Sequence, residues 1–390
     1  MIAHTLYEYM DGQLAKVPAD FVRYKYAEIN WESRLVGLVG PRGVGKSTMV
    51  LQRITKTPEN TSLYVSADNL YFTHNTLVAL ADAFVKEGGT HLYIDEVHKY
   101  EGWSRELKQV YDTHPDLHVV FTGSSVLDIR RGEADLSRRA LMYAMQGLSF
   151  REYLELFHHV VGRTYTLEEI LAHDVALEGV EHPLPLFRDY LHQGYYPFAL
   201  EGNFAERMQM VVAQTLEVDI PQYADMRAST ARKLAHMLTI LSHLVPYKPV
   251  AEALATEIGV SKNNVPDYLV YLERAGLLGL LRDDTAGMRA LGKVEKAYLD
   301  NPSLMTVLAG GTPDTGNLRE TFFYNQMRAR HDITASHVSD FTIGPYTFEV
   351  GGKKKGKKQI ENVDHGIIVR DDIETGHGII VPLWHFGLTY

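Results

Sequence analysis

The segment Leu35–Thr48, LVGLVGPRGVGKST, constrains this chain more than any other. An apolar run, Leu35 to Val39, enters a glycine-rich loop, and a helical pattern leaves it. The spacing Gly40-x-x-x-x-Gly45-Lys46-Ser47 in a strand–loop–helix setting is a phosphate-binding loop. Gly40, Gly43 and Gly45 let backbone N–H groups turn inward around phosphate oxygens, with Pro41, Arg42 and Val44 completing the cradle. The helix beginning near Lys46 points its positive end at the same anion. Lys46 is placed to neutralise β- and γ-phosphate charge, Ser47 to ligate Mg2+, and Thr48 to lie near the α-phosphate.

A second element completes the first. THLYIDEVHKYEGW holds a short apolar strand, Leu92 to Ile94, ending in Asp95-Glu96. An aspartate at a strand tip is the second Mg2+ anchor of P-loop enzymes, and hydrolysis needs a base to orient water. Asp95 and Glu96 are the candidates for those two roles. SLYVSAD (62–68) and LHVVFTGSS (117–125) read as further strands. The tip of the latter carries Thr122 and Ser124, either of which could sense a γ-phosphate. No Asn-Lys-x-Asp element for guanine is present, which favours ATP as the nucleotide. In LSRRALMYAMQGLSFREYLEL, Arg138 and Arg139 precede a strand-like run. An arginine there could reach transition-state charge in the same subunit or across an interface, or simply form a surface pair.

The remaining bulk properties set limits. At 390 residues the chain suggests two to four domains. It has no cysteine, no basic and apolar leader and no apolar run near the ~20 residues that span a bilayer, so a cytoplasmic protein without membrane contact is expected. The formal charge is −10, so any nucleic-acid contact must be local.

GPRGVGKST, LYIDEVHKYEGWSRELKQVYD, VVFTGSSVLDI, DLSRRA and GLSFREYLEL together resemble the prokaryotic AAA-type ATPases that carry a C-terminal domain of uncharacterised function. LFRDYLHQGYYPFAL (186–200) and IIVPLWHFGLTY extend the likeness over nearly the whole chain. It implies an α/β fold: an AAA-type P-loop parallel-sheet domain (1–148), a helical lid or connector (149–225), a winged helix (226–305) and a small α/β restriction-nuclease-like domain (306–390). It also implies that Arg139 is the arginine-finger candidate.

The middle of the chain agrees with helices, their apolar residues recurring at three and four. KPVAEALATEIGVSKNNVPDYLVYLERAGLL (248–278) reads as helix-turn-helix, and LLGLLRDD supplies a wing-like strand. Lys262, Asn263 and Asn264 suit phosphates and base edges of double-stranded DNA. Pro266 makes the second helix start late or bend, and Asp267 and Glu273 add negative charge, so a protein partner or a homo-oligomer is an equal reading.

In the C-terminal part, the family pattern implies an acidic set at Glu320, Asp340 and Glu349, with a lysine to activate water. The usual acid-x-lysine position is Gly351. Lys353 keeps the strand parity but lies roughly 13 Å along an extended strand from Glu349 rather than roughly 7 Å. Cleavage activity is therefore not expected. The run Lys353–Lys358, five lysines in six positions, admits three readings: a DNA phosphate clamp, a nuclease remnant or a solvated loop. The function expected is Mg2+-dependent ATP binding and hydrolysis coupled to a DNA-contacting C-terminal module. The alternatives are an ATP-bound signalling or scaffold switch and an ATP-regulated nuclease.

Overall fold

The computed structural model describes residues 4–56, 61–123, 136–224, 226–284, 293–310, 313–356 and 358–390. The chain divides into two compact units, 1–146 and 147–390.

The first unit is built on five parallel strands: β1 (Leu35–Val39), β2 (Ser62–Ser66), β3 (His91–Asp95), β4 (His118–Gly123) and β5 (Leu141–Ala144). Their order in the sheet is β2-β3-β4-β1-β5. Helices Lys46–Ile54, Leu77–Lys86 and Trp103–Thr113 occupy the connections. Strands covered on both faces must be apolar throughout, and β1 and β2 are buried at every residue. Leu63, Val65, Leu80, Phe84, Ile94 and Phe121 form the heart of the core. Each such side chain contributes roughly 1.5–3 kcal/mol on leaving water. Because the strands run parallel, the C-terminal tips of β1, β3 and β4 share one edge of the sheet. In open α/β sheets that edge is where ligands bind.

The second unit begins with a helix, Phe150–His158, held by a capping box between Ser149 and Glu152. Further helices run over Pro183–Asp189, Phe204–Gln214, Ala228–Leu244, Ala251–Ile258 and Val265–Arg274. An antiparallel hairpin follows, β6 (Leu278–Arg282) with β7 (Val294–Leu299), and Tyr247 bridges to Ala297 on its edge. After the helix Thr315–Met327 comes a mixed sheet of β8 (Ile333–Ala335), β9 (Phe341–Ile343), β10 (Tyr346–Gly351), β11 (Gly366–Arg370) and β12 (Ile380–Pro382). Its order is β12-β11-β10-β9-β8, antiparallel through β10 and parallel from β10 to β12.

Between β8 and β9 the chain leaves the sheet over 336–340. The Ser336 hydroxyl accepts from the amides of Val338 and Ser339, and that local turn competes with the ladder. The boundaries expected at 226 and 306 fall inside the second unit, whose aromatic core draws on residues far apart in sequence. Phe150 packs against Phe187, Tyr190 and Trp384, with ring centroids 5.3, 5.6 and 6.5 Å away. Phe322 stands 4.8 Å from Phe187, and Phe323 4.9 Å from Phe386.

Candidate functional site

The P-loop leaves β1 at Gly40, where a Cβ would lie 2.3 Å from the Met145 carbonyl oxygen, so only glycine fits. Gly43 and Gly45 hold φ of 79° and 95°, a region that costs other residues strain. The helix then starts at Lys46 with Gly45 as its cap. The Lys46 ammonium is buried and donates to the carbonyls of Gly40 (2.9 Å) and Pro41 (2.7 Å), so it stands over the loop it is expected to serve. The loop is braced from outside by Arg23. This buried side chain donates to the Val44 carbonyl within the loop and, at 2.8 Å, to the Gln146 carbonyl.

The acid pair sits at the tip of β3, separated from β1 only by β4. Asp95 is buried, and each of its oxygens is engaged. The Thr122 hydroxyl donates to Oδ1, and the Tyr64 hydroxyl donates to Oδ2 at 2.7 Å. Burial, and then the neighbouring Asp95 carboxylate, push the Tyr64 phenol well above its usual range, so it remains a donor. Thr122 also accepts from the Glu96 amide at 3.2 Å, which ties both acids to the end of β4. Glu96 adopts a left-handed backbone, φ 51°, uncommon for a non-glycine residue. Its Oε2 lies 3.7 Å from the guanidinium of Arg42 in the P-loop and 3.6 Å from Nε2 of the buried His98.

Of the residues expected at this site, the structure brings Gly40 to Lys46, Asp95, Glu96 and Thr122 to one edge of the sheet. Ser47 and Thr48 occupy the first turn of the helix. Ser124 lies outside the described residues. Arg139 makes a two-pronged ion pair with Asp112 on the helix Trp103–Thr113, both contacts 2.9 Å. Arg23, Tyr64 and His98 were not anticipated.

In the second unit, Glu320, Asp340 and Glu349 lie on neighbouring elements: the helix Thr315–Met327, the turn before β9, and β10. The lysine that reaches Glu349 is Lys355, not Lys353. β10 ends at Gly351 and the chain turns, so the alternation that favoured Lys353 no longer applies. Lys353, Lys354 and Lys358 are exposed, and Lys357 lies outside the described residues. A further lysine, Lys296 on β7, contacts both Glu320 and Asp340. Lys262, Asn263 and Asn264 form a single exposed 3-10 turn before the helix Val265–Arg274, with Pro266 in that helix's first turn as expected. Lys262 pairs with Glu252 at 3.1 Å. Among the described residues no helix is long and apolar enough to cross a membrane.

Comparison with known proteins agrees with the geometry of the first unit. Residues 32–154 match the family model of an AAA domain, and residues 184–315 match that of a domain of unknown function, DUF8612. The uncharacterized protein MJ1637 of Methanocaldococcus jannaschii is 26% identical over 445 aligned positions, spanning 97% of this chain and 93% of its own. The Walker-type ATPase PABY2304 of Pyrococcus abyssi overlays with a TM-score of 0.44 at 14% identity, over 76% of this chain and 99% of that one. DnaA of Aquifex aeolicus bound to AMPPCP overlays with a TM-score of 0.25 at 14% identity, over 70% and 89%. The parallel sheet and P-loop of the first unit, with the match of residues 32–154 to the AAA-domain model, give this unit the α/β fold of a P-loop AAA domain.

Proposed function

We propose that this chain binds ATP with Mg2+ at the P-loop edge of the first unit and hydrolyses it, using the nucleotide state to control the second unit. The observation that carries the reading is the convergence of Lys46, Asp95, Glu96 and Thr122 at one sheet edge, with Thr122 bonded to both acids. Lys46 and the inward amides of the loop bind the β- and γ-phosphates, and Ser47 and Asp95 are the residues suited to hold Mg2+. Such a metal would supply charge neutralisation for the phosphates when bound. Glu96 orients the attacking water, and Arg139 is the candidate to stabilise charge on the transferring phosphoryl group once it leaves Asp112.

The second unit offers a place for the output. Three helices, Ala228–Leu244, Ala251–Ile258 and Val265–Arg274, followed by the hairpin β6–β7, follow the order of a winged helix. The exposed Lys262, Asn263 and Asn264 precede its third helix, and the exposed lysines at 353, 354 and 358 add positive charge elsewhere on the unit. Contact with duplex DNA through these residues is the partner reading they support, and a protein partner or a second copy is the alternative.

Steady-state ATP hydrolysis tests the proposal. Glu96→Gln should bind ATP and lose turnover, and undiminished turnover removes Glu96 from the role. Stimulation by duplex DNA that fades with added salt supports the DNA contact. Turnover indifferent to DNA at low and moderate salt directs the search to a protein partner.

A further inference from the structure

Glu320, Asp340 and Glu349 are the acids that a nuclease-like domain would offer to a divalent ion, yet each is engaged by the chain itself. Lys296 projects from β7 with its Nζ 3.1 Å from Glu320 Oε2 and 3.2 Å from Asp340 Oδ1. Tyr298, two residues along the same strand and therefore on the same face, donates to Glu320 Oε2 at 2.9 Å. The other oxygen of Asp340 accepts the Val350 amide at 3.0 Å. Glu349 is 1% exposed, accepts from the Ser339 hydroxyl and is paired with Lys355. Three carboxylates thus share two ammonium groups.

The Lys296 ammonium already stands between Glu320 and Asp340, where its charge repels a divalent ion and its volume fills the place one would take. Among the described residues no three His, Cys, Asp or Glu side chains converge as a ligand set. The donor set therefore does not fit the metal that a nuclease-like domain implies.

We infer that Lys296 is a tethered cation that takes the place of a metal ion between Glu320 and Asp340, making the cluster a metal-independent clasp between the hairpin and the helix–sheet layer. The group is half-buried, so removing one partner leaves charge that solvent compensates only in part. Burial opposes the Lys296 charge, but Glu320 and Asp340 outweigh it and raise its pKa above the ordinary lysine value. The ammonium is accordingly present at neutral pH. A cleft of about 380 Å³, lined by Lys248, Glu295, Lys296, Ser339 and Asp340 among others, opens beside the clasp. Small ions can reach it, so the lysine and not a sealed wall excludes them.

The test is Mn2+ binding, followed by electron paramagnetic resonance on nucleotide-free full-length chain carrying Asp95→Asn to remove the acid of the first unit. This parent should show no site sensitive to Asp340→Asn. Adding Lys296→Met should create one Mn2+ site, at least about tenfold tighter than any in the parent, that Asp340→Asn abolishes. Lys296→Arg, which keeps the cation, should stay metal-free. Binding in the parent that Asp340→Asn removes overturns the inference, as does a folded Lys296→Met chain that binds no Mn2+. If Lys296→Met does not fold, the parent decides. A rise in its Tm with Mn2+ that vanishes with Asp340→Asn overturns the clasp, and a Tm unmoved by Mn2+ agrees with it. No nucleotide enters the assay, so its outcome is independent of ATP hydrolysis.

Discussion

The Thr122 hydroxyl donates to the Asp95 carboxylate across adjacent strands, and the same oxygen receives the Glu96 amide. One side chain thereby sets the position of both Asp95, the proposed metal anchor, and Glu96, the proposed orienter of water. Thr122→Val keeps the volume and removes the hydroxyl from a fully buried site. Turnover should fall about 10–100-fold with little change in ATP affinity, because positioning matters most in the transition state. Thr122→Ser should retain most activity. Equal loss in both variants, or none in Thr122→Val, rejects this role.

Arg23 braces the P-loop from a segment that precedes the sheet. Its guanidinium bonds to the Val44 and Gln146 carbonyls and is buried. Arg23→Ala should weaken nucleotide binding by about tenfold or more and cost the fold roughly 1–3 kcal/mol, the range for leaving a buried polar group unpaired. Arg23→Lys, able to reach one carbonyl, should fall between. A fluorescent ATP analogue and thermal unfolding read the two effects separately. Loss of stability with unchanged nucleotide affinity would assign Arg23 to the fold alone.

Arg139 and Asp112 form an exposed pair whose mutual hydrogen bonds raise the arginine pKa and lower the aspartate pKa. Exposed pairs contribute little to stability. Arg139→Ala should therefore leave the Tm almost unchanged while reducing kcat about 10³-fold or more if it serves the transferring phosphoryl group. Asp112→Asn, which frees the arginine, should not slow turnover. Unchanged kcat in Arg139→Ala returns the residue to a surface pair. Activity regained on mixing Arg139→Ala with Glu96→Gln chains would show that the arginine acts across copies.

His385 predicts how the second unit responds to acid. It is 5% exposed, and burial, followed by the charge of nearby His173, lowers its pKa to about 3. Its folded pKa lies below the ordinary value, so its stabilising contribution is complete above about pH 6.5 and is lost as the pH falls toward 3. Between pH 6.5 and 4.5 the loss should reach roughly 2–3 kcal/mol. His385→Gln should flatten this part of the stability–pH curve, measured by denaturant unfolding. An identical slope in the variant rules His385 out as the source.

The candidate site of the first unit was legible because its parts are local. Gly40 to Thr48 form one continuous loop and helix start, and Asp95 and Glu96 are adjacent at one strand tip. Their partners were not. Arg23 stands 21 residues before Val44, and Tyr64 stands 31 before Asp95. Nothing in the spacing of either residue marks a contact. Lys296 left a faint sign: a lysine inside the strand Val294–Leu299, which has Tyr298 on the same face.

By itself the sequence determined the place of the P-loop, the place of the acid pair at a strand tip and the alternation of strands and helices in the first unit. These depend on residue type at short spacing, where backbone geometry dictates position. Tertiary structure alone decided which lysine meets which acid in the second unit. Side-chain alternation holds only while the chain stays extended, and it ends where β10 turns at Gly351. Lys296 comes to Asp340 across 44 residues of chain, a distance closed only by packing the hairpin on the mixed sheet. The five-lysine run divided in the same way. Its lysines share a sequence neighbourhood, but the turn after Gly352 brings the half-buried Lys355 to Glu349 and leaves Lys353 and Lys354 exposed.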